Sequence, residues 1–284
     1  MKLIRFGADG QEKPGIIQDG RRYDVSAFGQ DFNESFFANN GIELLSTFVA
    51  QHRAKLPGVD DDVRLGPPVC RPSKIICIGL NFADHAAETN SPTPKEPIIF
   101  FKSTTAITGP NDNVMIPRNS TKTDWEVELA VIIGKKARYV TEHEAPGFIA
   151  GYCLHNDYSE REFQLERGGQ WVKGKSCDTF APLGPFVATV DEVPDVDDLK
   201  MWLTVNGKKM QDSSTSNLIF KVPFLVHYLS QFMTLLPGDI ISTGTPAGVG
   251  LAMKPSLYLK PGDVVELGVE KLGTSQQTLL AFKE

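Results

Sequence analysis

The stretch Thr123-Asp124-Trp125-Glu126-Val127-Glu128-Leu129-Ala130-Val131-Ile132-Ile133 reads as a buried strand that carries two acids. From Trp125 to Ile133 every residue except Glu126 and Glu128 is apolar. A strand turns residues i and i+2 to one face, so the two carboxylates project together. Adjacent carboxylates in apolar surroundings repel, and one must take up a proton unless a cation lies between them. A hard, oxygen-liking ion such as Mg²⁺ removes that conflict. Asp157, in His155-Asn156-Asp157-Tyr158, completes a candidate metal set. Three carboxylates leave such an ion room for water or substrate oxygens. The same E-x-E spacing also suits an edge strand with two solvated glutamates, and spacing alone leaves both readings open.

Outward from that strand, short apolar runs dominate: 75–78, 98–102, 186–190 and 203–205, the last closing on the turn Asn206-Gly207. Two Pro-Gly-Asp turns, at Pro237 and Pro261, each launch a further strand. The best helix is 223–233, with Pro223 in its first turn and Leu225, Val226, Leu229 and Phe232 among its apolar residues. Toward the N-terminus, Gly15 to Gln18, the turn Asp19-Gly20 and Arg21 to Val25 predict a hairpin. Leu44, Leu45, Phe48 and Val49 follow at helical spacing, and a Pro/Gly-rich stretch, 56–72, then breaks any regular element. This order predicts a β-rich mixed α+β protein, a sandwich or rolled sheet, with a small N-terminal β-containing domain over residues 1–70 and a larger one over 71–284.

The 284 residues suffice for one large core or one core plus a small appended domain, and 41% apolar with 23% charged residues is ordinary globular usage. Lys plus Arg number 29 against 35 Asp plus Glu, a net charge of −6 with no basic block, which argues against nucleic acid as a partner. No apolar run approaches a membrane span and the first residues turn polar at once, so the expectation is a cytoplasmic protein with no membrane partner. Cys70, Cys77, Cys153 and Cys177 form no C-x-x-C pair, which predicts buried free thiols.

Several residues could do chemistry. His85 and Glu88 stand i,i+3 on a predicted helical turn, where the carboxylate would fix the imidazole tautomer and raise its basicity, as a general base for water requires. Such a pair is also a common surface contact. Asp157 or Ser159 is placed to cap a helix on which Arg161 and Gln164 share a face. Lys102 ends an apolar strand and Lys175 lies in Gly174-Lys175-Ser176-Cys177-Asp178; either can be a solvated amine. The run from Gly244 to Gly250 lacks the Gly-Lys-Ser/Thr ending of a phosphate loop, so nucleotide binding is rejected. Its tight turn still brings backbone N–H groups and the Thr245 hydroxyl close to a small acid.

Taken in order, these segments resemble the fumarylacetoacetate hydrolase family. The resemblance covers Lys74 to Gly268 and runs through Gly79-Leu80-Asn81-Phe82-x-x-His85-x-x-Glu88, Phe100-x-Lys102, the E-x-E strand and Asn156-Asp157. It continues through Gly174-Lys175-x-x-Asp178-x-x-x-Pro182-x-Gly184-Pro185 and the run from Pro237-Gly238-Asp239 to Gly244-Thr245-Pro246-x-Gly248-Val249-Gly250. It implies a mixed β-sandwich roll, a homodimer, and Mg²⁺ (Mn²⁺ or Ca²⁺ as substitutes) on Glu126, Glu128 and Asp157. It further implies that His85 with Glu88 activates water, that Lys175 is the active-site lysine, and that Arg161, Gln164, Lys102 and Thr245 meet substrate. Phe82 departs from the tyrosine of many members, so a phenol hydrogen bond there is lost.

The implied reaction is hydrolysis of a C–C bond in a small 2,4-diketo acid of the acylpyruvate type, releasing pyruvate and a second acid. Oxaloacetate decarboxylation, isomerisation and a lyase reaction draw on the same metal–enolate chemistry. A non-catalytic acid-binding protein is the alternative of a different class.

Overall fold

The computed structural model describes residues 1–90 and 92–283. Among these, the strand that decides the fold is Val127–Ile133, all seven of its residues buried. It lies inside a mixed sheet of eleven strands. On one side it pairs antiparallel with Ile149–Asn156, in a register that sets Val127 opposite Asn156 and Glu128 opposite His155. On the other it pairs antiparallel with Ile240–Ser242, which runs parallel to Ile75–Gly79. Ile98–Lys102 closes that edge. The solvated edge strand is therefore excluded, because Glu128 sits in a central strand and Glu126, just ahead of it, is buried as well.

The Pro-Gly-Asp turn at Pro237 explains how two parallel strands are held in step. Asp239 is fully buried and accepts from Ser73 Oγ at 2.5 Å, from the Lys74 N–H at 3.2 Å and from the Leu236 N–H at 2.6 Å, with the Lys74 ammonium also on it. One carboxylate thus ties the start of the Ile75 strand to the start of the Ile240 strand.

A second sheet, in the order Lys208–Ser214, Lys200–Val205, Val264–Val269, Gly273–Ala281 and Val114–Ile116, packs on the Val127 and Ile149 strands. The two sheets enclose a core that includes Leu129, Val131, Leu154, Leu203, Val265 and Leu267, all at most 1% exposed. The fold is a β-rich mixed α+β architecture, as the patterning predicts. The expected 223–233 helix forms over Val222–Phe232 with proline in its first turn.

The N-terminal hairpin forms between Lys13–Gln18 and Arg21–Asp24, with Asp19 at φ 52° and Gly20 at φ 73°. Both central residues have the positive φ that a type I′ turn requires. These strands extend the large sheet, since Lys2–Phe6 pairs with Val187–Thr189. The helix Gly41–His52 buries Leu45 and Val49 but leaves Leu44 half-exposed, so its apolar stripe is narrower than expected. The 56–72 stretch, expected to hold no regular element, contains two-residue strands, Gly58–Val59 and Leu65–Gly66, because each finds an open edge of the N-terminal strands.

All four cysteines are free thiols, Cys77 and Cys153 buried and Cys70 and Cys177 only half-buried. No described helix is long and apolar enough to cross a membrane.

Replacing Asp239 with alanine leaves the Leu236 and Lys74 N–H groups without their acceptor. The expected loss is about 2–3 kcal/mol of stability, read from the urea midpoint, with a smaller loss for Lys74→Met because that amine is partly exposed.

Candidate active site

Glu126 stands just ahead of the Val127 strand, one position outside the ladder, and its carbonyl accepts from the Asp157 N–H at 2.9 Å. That bond brings the Asp157 segment alongside the two glutamates. The result is a cluster in which one carboxylate oxygen from each of Glu126, Glu128 and Asp157 lies within 4.8 Å of the others. Their exposures are 6%, 2% and 0%. Two full negative charges at that separation repel by about 3–4 kcal/mol even at an effective dielectric of ~20, well above the net worth of one hydrogen bond.

Three buried cations partly answer the charge. Lys175 Nζ is 2.6 Å from Glu126 Oε2 and 2.9 Å from Asp157 Oδ2. Lys102 Nζ is 2.5 Å from Asp157 Oδ1 and donates to the Tyr158 carbonyl at 3.0 Å. Arg161 donates through Nη2 to Glu126 at 2.7 Å, through Nε to Asp124 at 2.8 Å and through Nη1 to Gln164 at 3.0 Å. With Asp124 included, four carboxylates face three cations, and Glu128 is the acid left over. Among the described residues it is held by neutral donors, the Ser242 hydroxyl at 2.5 Å and the Gly244 N–H at 2.9 Å.

The titration behaviour follows this arrangement. Burial, with Asp157 and Glu126 alongside, pushes the Glu128 carboxyl well above its ordinary range. Burial would raise Asp157 too, but Lys102 and Lys175 hold it below the usual carboxylate range. Burial opposes the charge on Lys175, and Asp157 and Glu126 outweigh it, keeping the amine protonated. The cluster is one positive charge short, and a divalent cation on Glu126, Glu128 and Asp157 would more than offset that deficit, leaving charge to attract an anionic ligand. An all-oxygen donor set matches a hard ion of the Mg²⁺, Mn²⁺ or Ca²⁺ kind.

His85 and Glu88 occupy the short helix Ala83–Glu88, with His85 Nδ1 3.3 Å from Glu88 Oε2. The Gly248 N–H holds Glu88 from the other side at 3.0 Å. Gly248 has φ 105°, and a Cβ there would lie 2.0 Å from the Met210 carbonyl, so only glycine presents that N–H. The glycine run is anchored by Trp125 Nε1, which donates to the Gly248 carbonyl at 3.1 Å, and by Asp124, which accepts from the Gly250 N–H at 2.7 Å. A cavity of about 280 Å³ opens between these parts, and His85, Glu126, Glu128, Arg161, Lys175 and Thr245 all line it.

One expectation changes. Asp157 and Ser159 cap no helix: Ser159–Glu160 pairs with Thr123–Asp124, Ser159 Oγ donates to the Asp157 carbonyl, and the Asp157 carboxylate is taken by the two lysines. Arg161 and Gln164 still meet, at the start of a single π turn, Glu162–Glu166. Lys102 and Thr245, expected to meet substrate, have partners within the protein. Lys102 is turned to Asp157, and the Thr245 hydroxyl, though on the cavity, donates to the Val127 carbonyl at 2.9 Å and accepts from Gln211 at 2.8 Å.

Sequence reasoning did not assign Asp124, Ser242 or His155. Asp124 stands two residues ahead of Glu126, in the same i, i+2 register as the decisive acids, so the pattern Asp124-x-Glu126-x-Glu128 was the signal that could have found it. Ser242 and His155 carry no local signal, since their contact crosses from one strand to another: His155 Nδ1 is 2.6 Å from Ser242 Oγ. Burial pushes the His155 imidazole down to about 3, so it is neutral. Ser242 spends its proton on Glu128, and His155 therefore donates from Nδ1.

The comparisons with known proteins bear on the family and the fold. The family model described as fumarylacetoacetate hydrolase C-terminal matches residues 74–280. A presumed hydrolase from Burkholderia multivorans, named without a substrate, is 52% identical over 285 residues, covering 100% of both chains. Among solved structures, a fumarylacetoacetate hydrolase from Exiguobacterium antarcticum is 34% identical over 99% of this chain and 100% of its own, with TM-score 0.86. A 5-carboxymethyl-2-hydroxymuconate delta-isomerase from Mycobacterium smegmatis is 33% identical, covering 100% of both chains, with TM-score 0.78. The maleylpyruvate hydrolase from Sphingobium sp. SYK-6, in complex with manganese(II) and pyruvate, is 28% identical, covering 100% of both chains, with TM-score 0.83.

Glu128→Gln tests the charge deficit. A carboxyl whose folded value is raised above its ordinary 4.5 stabilises the fold only below that value, and the contribution is lost as pH rises through the folded value. At pH 7.5 the metal-free variant is expected to melt at or above the wild-type temperature. Added Mn²⁺ should stabilise the wild type and leave the variant unmoved, as thermal melts with and without the ion will show.

Proposed function

The chain belongs to the fumarylacetoacetate hydrolase family, and from that premise we propose that it is a metal-dependent hydrolase. Its reaction is cleavage of the C–C bond between the carbonyls of a small 2,4-diketo acid of the acylpyruvate type. The family and its relatives indicate a hydrolase; the bond and the metal are the proposal. The observation that carries it is that His85, Lys175, Glu126 and Glu128 line one cavity.

Glu126, Glu128 and Asp157 would hold a divalent cation, of which Mg²⁺ is the first candidate, and the manganese in the Sphingobium relative supports a site of this kind. When bound, the ion supplies positive charge that favours the enolate form of a 1,3-dicarbonyl head. His85, oriented by Glu88, takes a proton from water. The water oxygen adds to the distal carbonyl carbon, and the ammonium of Lys175 stabilises the negative charge that gathers on its oxygen. Collapse breaks the bond to the methylene carbon, which takes a proton and leaves as pyruvate, while the acyl group leaves as a carboxylic acid. Arg161, spent on Asp124, Glu126 and Gln164, is a positioning residue that keeps Glu126 aimed at the cluster. Lys102 does the same for Asp157. Assembly as a homodimer and a place in the cytoplasm belong to this proposal as well.

An isomerase reading is favoured by the likeness to the Mycobacterium smegmatis delta-isomerase. The two readings differ in whether water is consumed. The test follows the ultraviolet enol band of a panel of 2,4-diketo acids and oxaloacetate, with Mg²⁺ or with EDTA, and identifies products by mass. Metal-dependent pyruvate plus a second acid is expected. Carbon dioxide from oxaloacetate alone, or a product of unchanged mass, overturns the hydrolase.

Two variants separate the roles. Glu126→Ala should lose both metal binding and activity. His85→Gln should bind metal with wild-type affinity by calorimetry while kcat falls by about 10²–10⁴-fold; full activity in either variant is incompatible with the proposed chemistry.

A further inference from the structure

The carboxylate oxygens of the cluster are not equally free. Glu126 accepts from Arg161 on Oε1 and from Lys175 on Oε2, and Asp157 accepts from Lys102 on Oδ1 and from Lys175 on Oδ2. Glu128 accepts both of its hydrogen bonds, from the Ser242 hydroxyl and the Gly244 N–H, on Oε2. Among the described residues Glu128 Oε1 is therefore the one oxygen of these three acids without a donor, and Glu128 lines the cavity. Where Oε1 points is set by what holds Oε2.

A serine hydroxyl is a rotor with one proton and two lone pairs, and by itself it fixes little. Here the rotor has a stop, because His155 Nδ1 lies 2.6 Å from Ser242 Oγ. His155 stands opposite Glu128 in one ladder and Ser242 opposite Ala130 in the next, so all three side chains share one face of the sheet. Each is at most 2% exposed. Ser242 gives its proton to Glu128, so His155 donates from Nδ1, and the three groups form one donor chain that ends on Oε2.

On its far side the imidazole is unsatisfied: Nε2 is buried with no hydrogen-bond partner among the described residues. A polar nitrogen left that way costs free energy that an apolar side chain of similar size would not, so burial alone does not account for a histidine here. The bond from Nδ1 does. A protonated ring would place a second N–H where no acceptor stands, so the chain is neutral. Lys175, Arg161 and Lys102 hold Glu126 and Asp157 with positive charge that also repels an incoming cation, whereas Ser242 and His155 hold Glu128 without adding any.

We propose, resting on the metal-dependent reading, that Ser242 and His155 are positioning residues that aim Glu128 Oε1 at the divalent cation, and that metal affinity depends on both. Each donor in such a chain strengthens the next, so the two act as a unit.

The test titrates Mn²⁺ into the metal-free protein by calorimetry and records the melting temperature of each metal-free variant. Ser242→Ala and His155→Leu, both close to the original volume, should each weaken Mn²⁺ binding by about 10–100-fold, the scale of losing a group that orients a metal ligand. The double variant should bind no more weakly than the weaker of the two, because both changes break one chain. His155→Asn, whose side-chain amide can donate from near the place of Nδ1, should recover most of the affinity. Wild-type affinity in Ser242→Ala and His155→Leu overturns the inference and leaves the metal site standing. A lowered metal-free melting temperature in His155→Leu, with no recovery of affinity in His155→Asn, marks a merely structural histidine and overturns it too. Absence of Mn²⁺ binding by the wild type removes the metal site itself and the inference with it.

Discussion

The arrangement of this protein turns on an unbalanced charge inside a sheet. Asp124, Glu126, Glu128 and Asp157 are buried against Lys102, Lys175 and Arg161, and Glu128 is left with only neutral donors. A buried ionic cluster is a poor way to gain stability, since desolvation of each ion offsets most of the attraction. Its place on a cavity is what motivates the metal proposal: three clustered carboxylates with one charge unanswered suit a hard, oxygen-liking cation, which would share Glu126 and Asp157 with the lysines that hold them.

The scaffold is built to hold that imbalance still. Glu128 is fixed by the register of Val127–Ile133 against Ile240–Ser242, since Ser242 reaches it across that ladder. Asp157 is fixed by the bond from its own N–H to the Glu126 carbonyl. The glycine run is tied down by Trp125, Asp124 and Gln211, so the N–H groups that meet Glu88 and Glu128 come from a rigid turn. Asn81 binds the Thr243 and Phe220 carbonyls and receives the Phe220 N–H, which sets the start of the His85 helix relative to the same turn. Leu80, just before it, takes φ 50°, a left-handed conformation imposed on a residue that faces the cavity.

The charged cluster is assembled from several elements: Glu128 from the Val127 strand and Glu126 from just ahead of it, Asp157 from just after the Ile149 strand, Lys102 from the end of the Ile98 strand and Lys175 from the short helix Val172–Lys175. Of the apolar residues on the cavity, Phe100 comes from a strand of the large sheet, while Leu165 and Trp171 come from the π turn and from just ahead of the short helix that follows it. The scaffold is shared with relatives named for hydrolysis and for isomerisation, so the fold by itself does not fix the reaction.

Much of this was legible in the residues. Apolar alternation and turn chemistry located the Val127, Ile240 and Ile75 strands, the N-terminal hairpin and the Pro223 helix, because those signals are local. The candidate acids and the His85–Glu88 pair stood out by residue type and spacing, which still left a solvated or surface reading open, and Lys175 was singled out only through the resemblance to the family. Tertiary structure alone decided the rest. It turned Lys102 toward Asp157 and engaged the Thr245 hydroxyl with the sheet, it replaced an expected helix cap by a strand pair at Ser159, and it brought Asp124 and Ser242 into the cluster. Each of these depends on a partner more than thirty residues away, and no local pattern encodes which cation answers which carboxylate. The sequence by itself set Glu126 and Glu128 two residues apart in an apolar run and offered Asp157 as a third acid; the packing of two further strands and a glycine turn around them decided that all three would be buried together and that Glu128 would be the one left without a counter-charge.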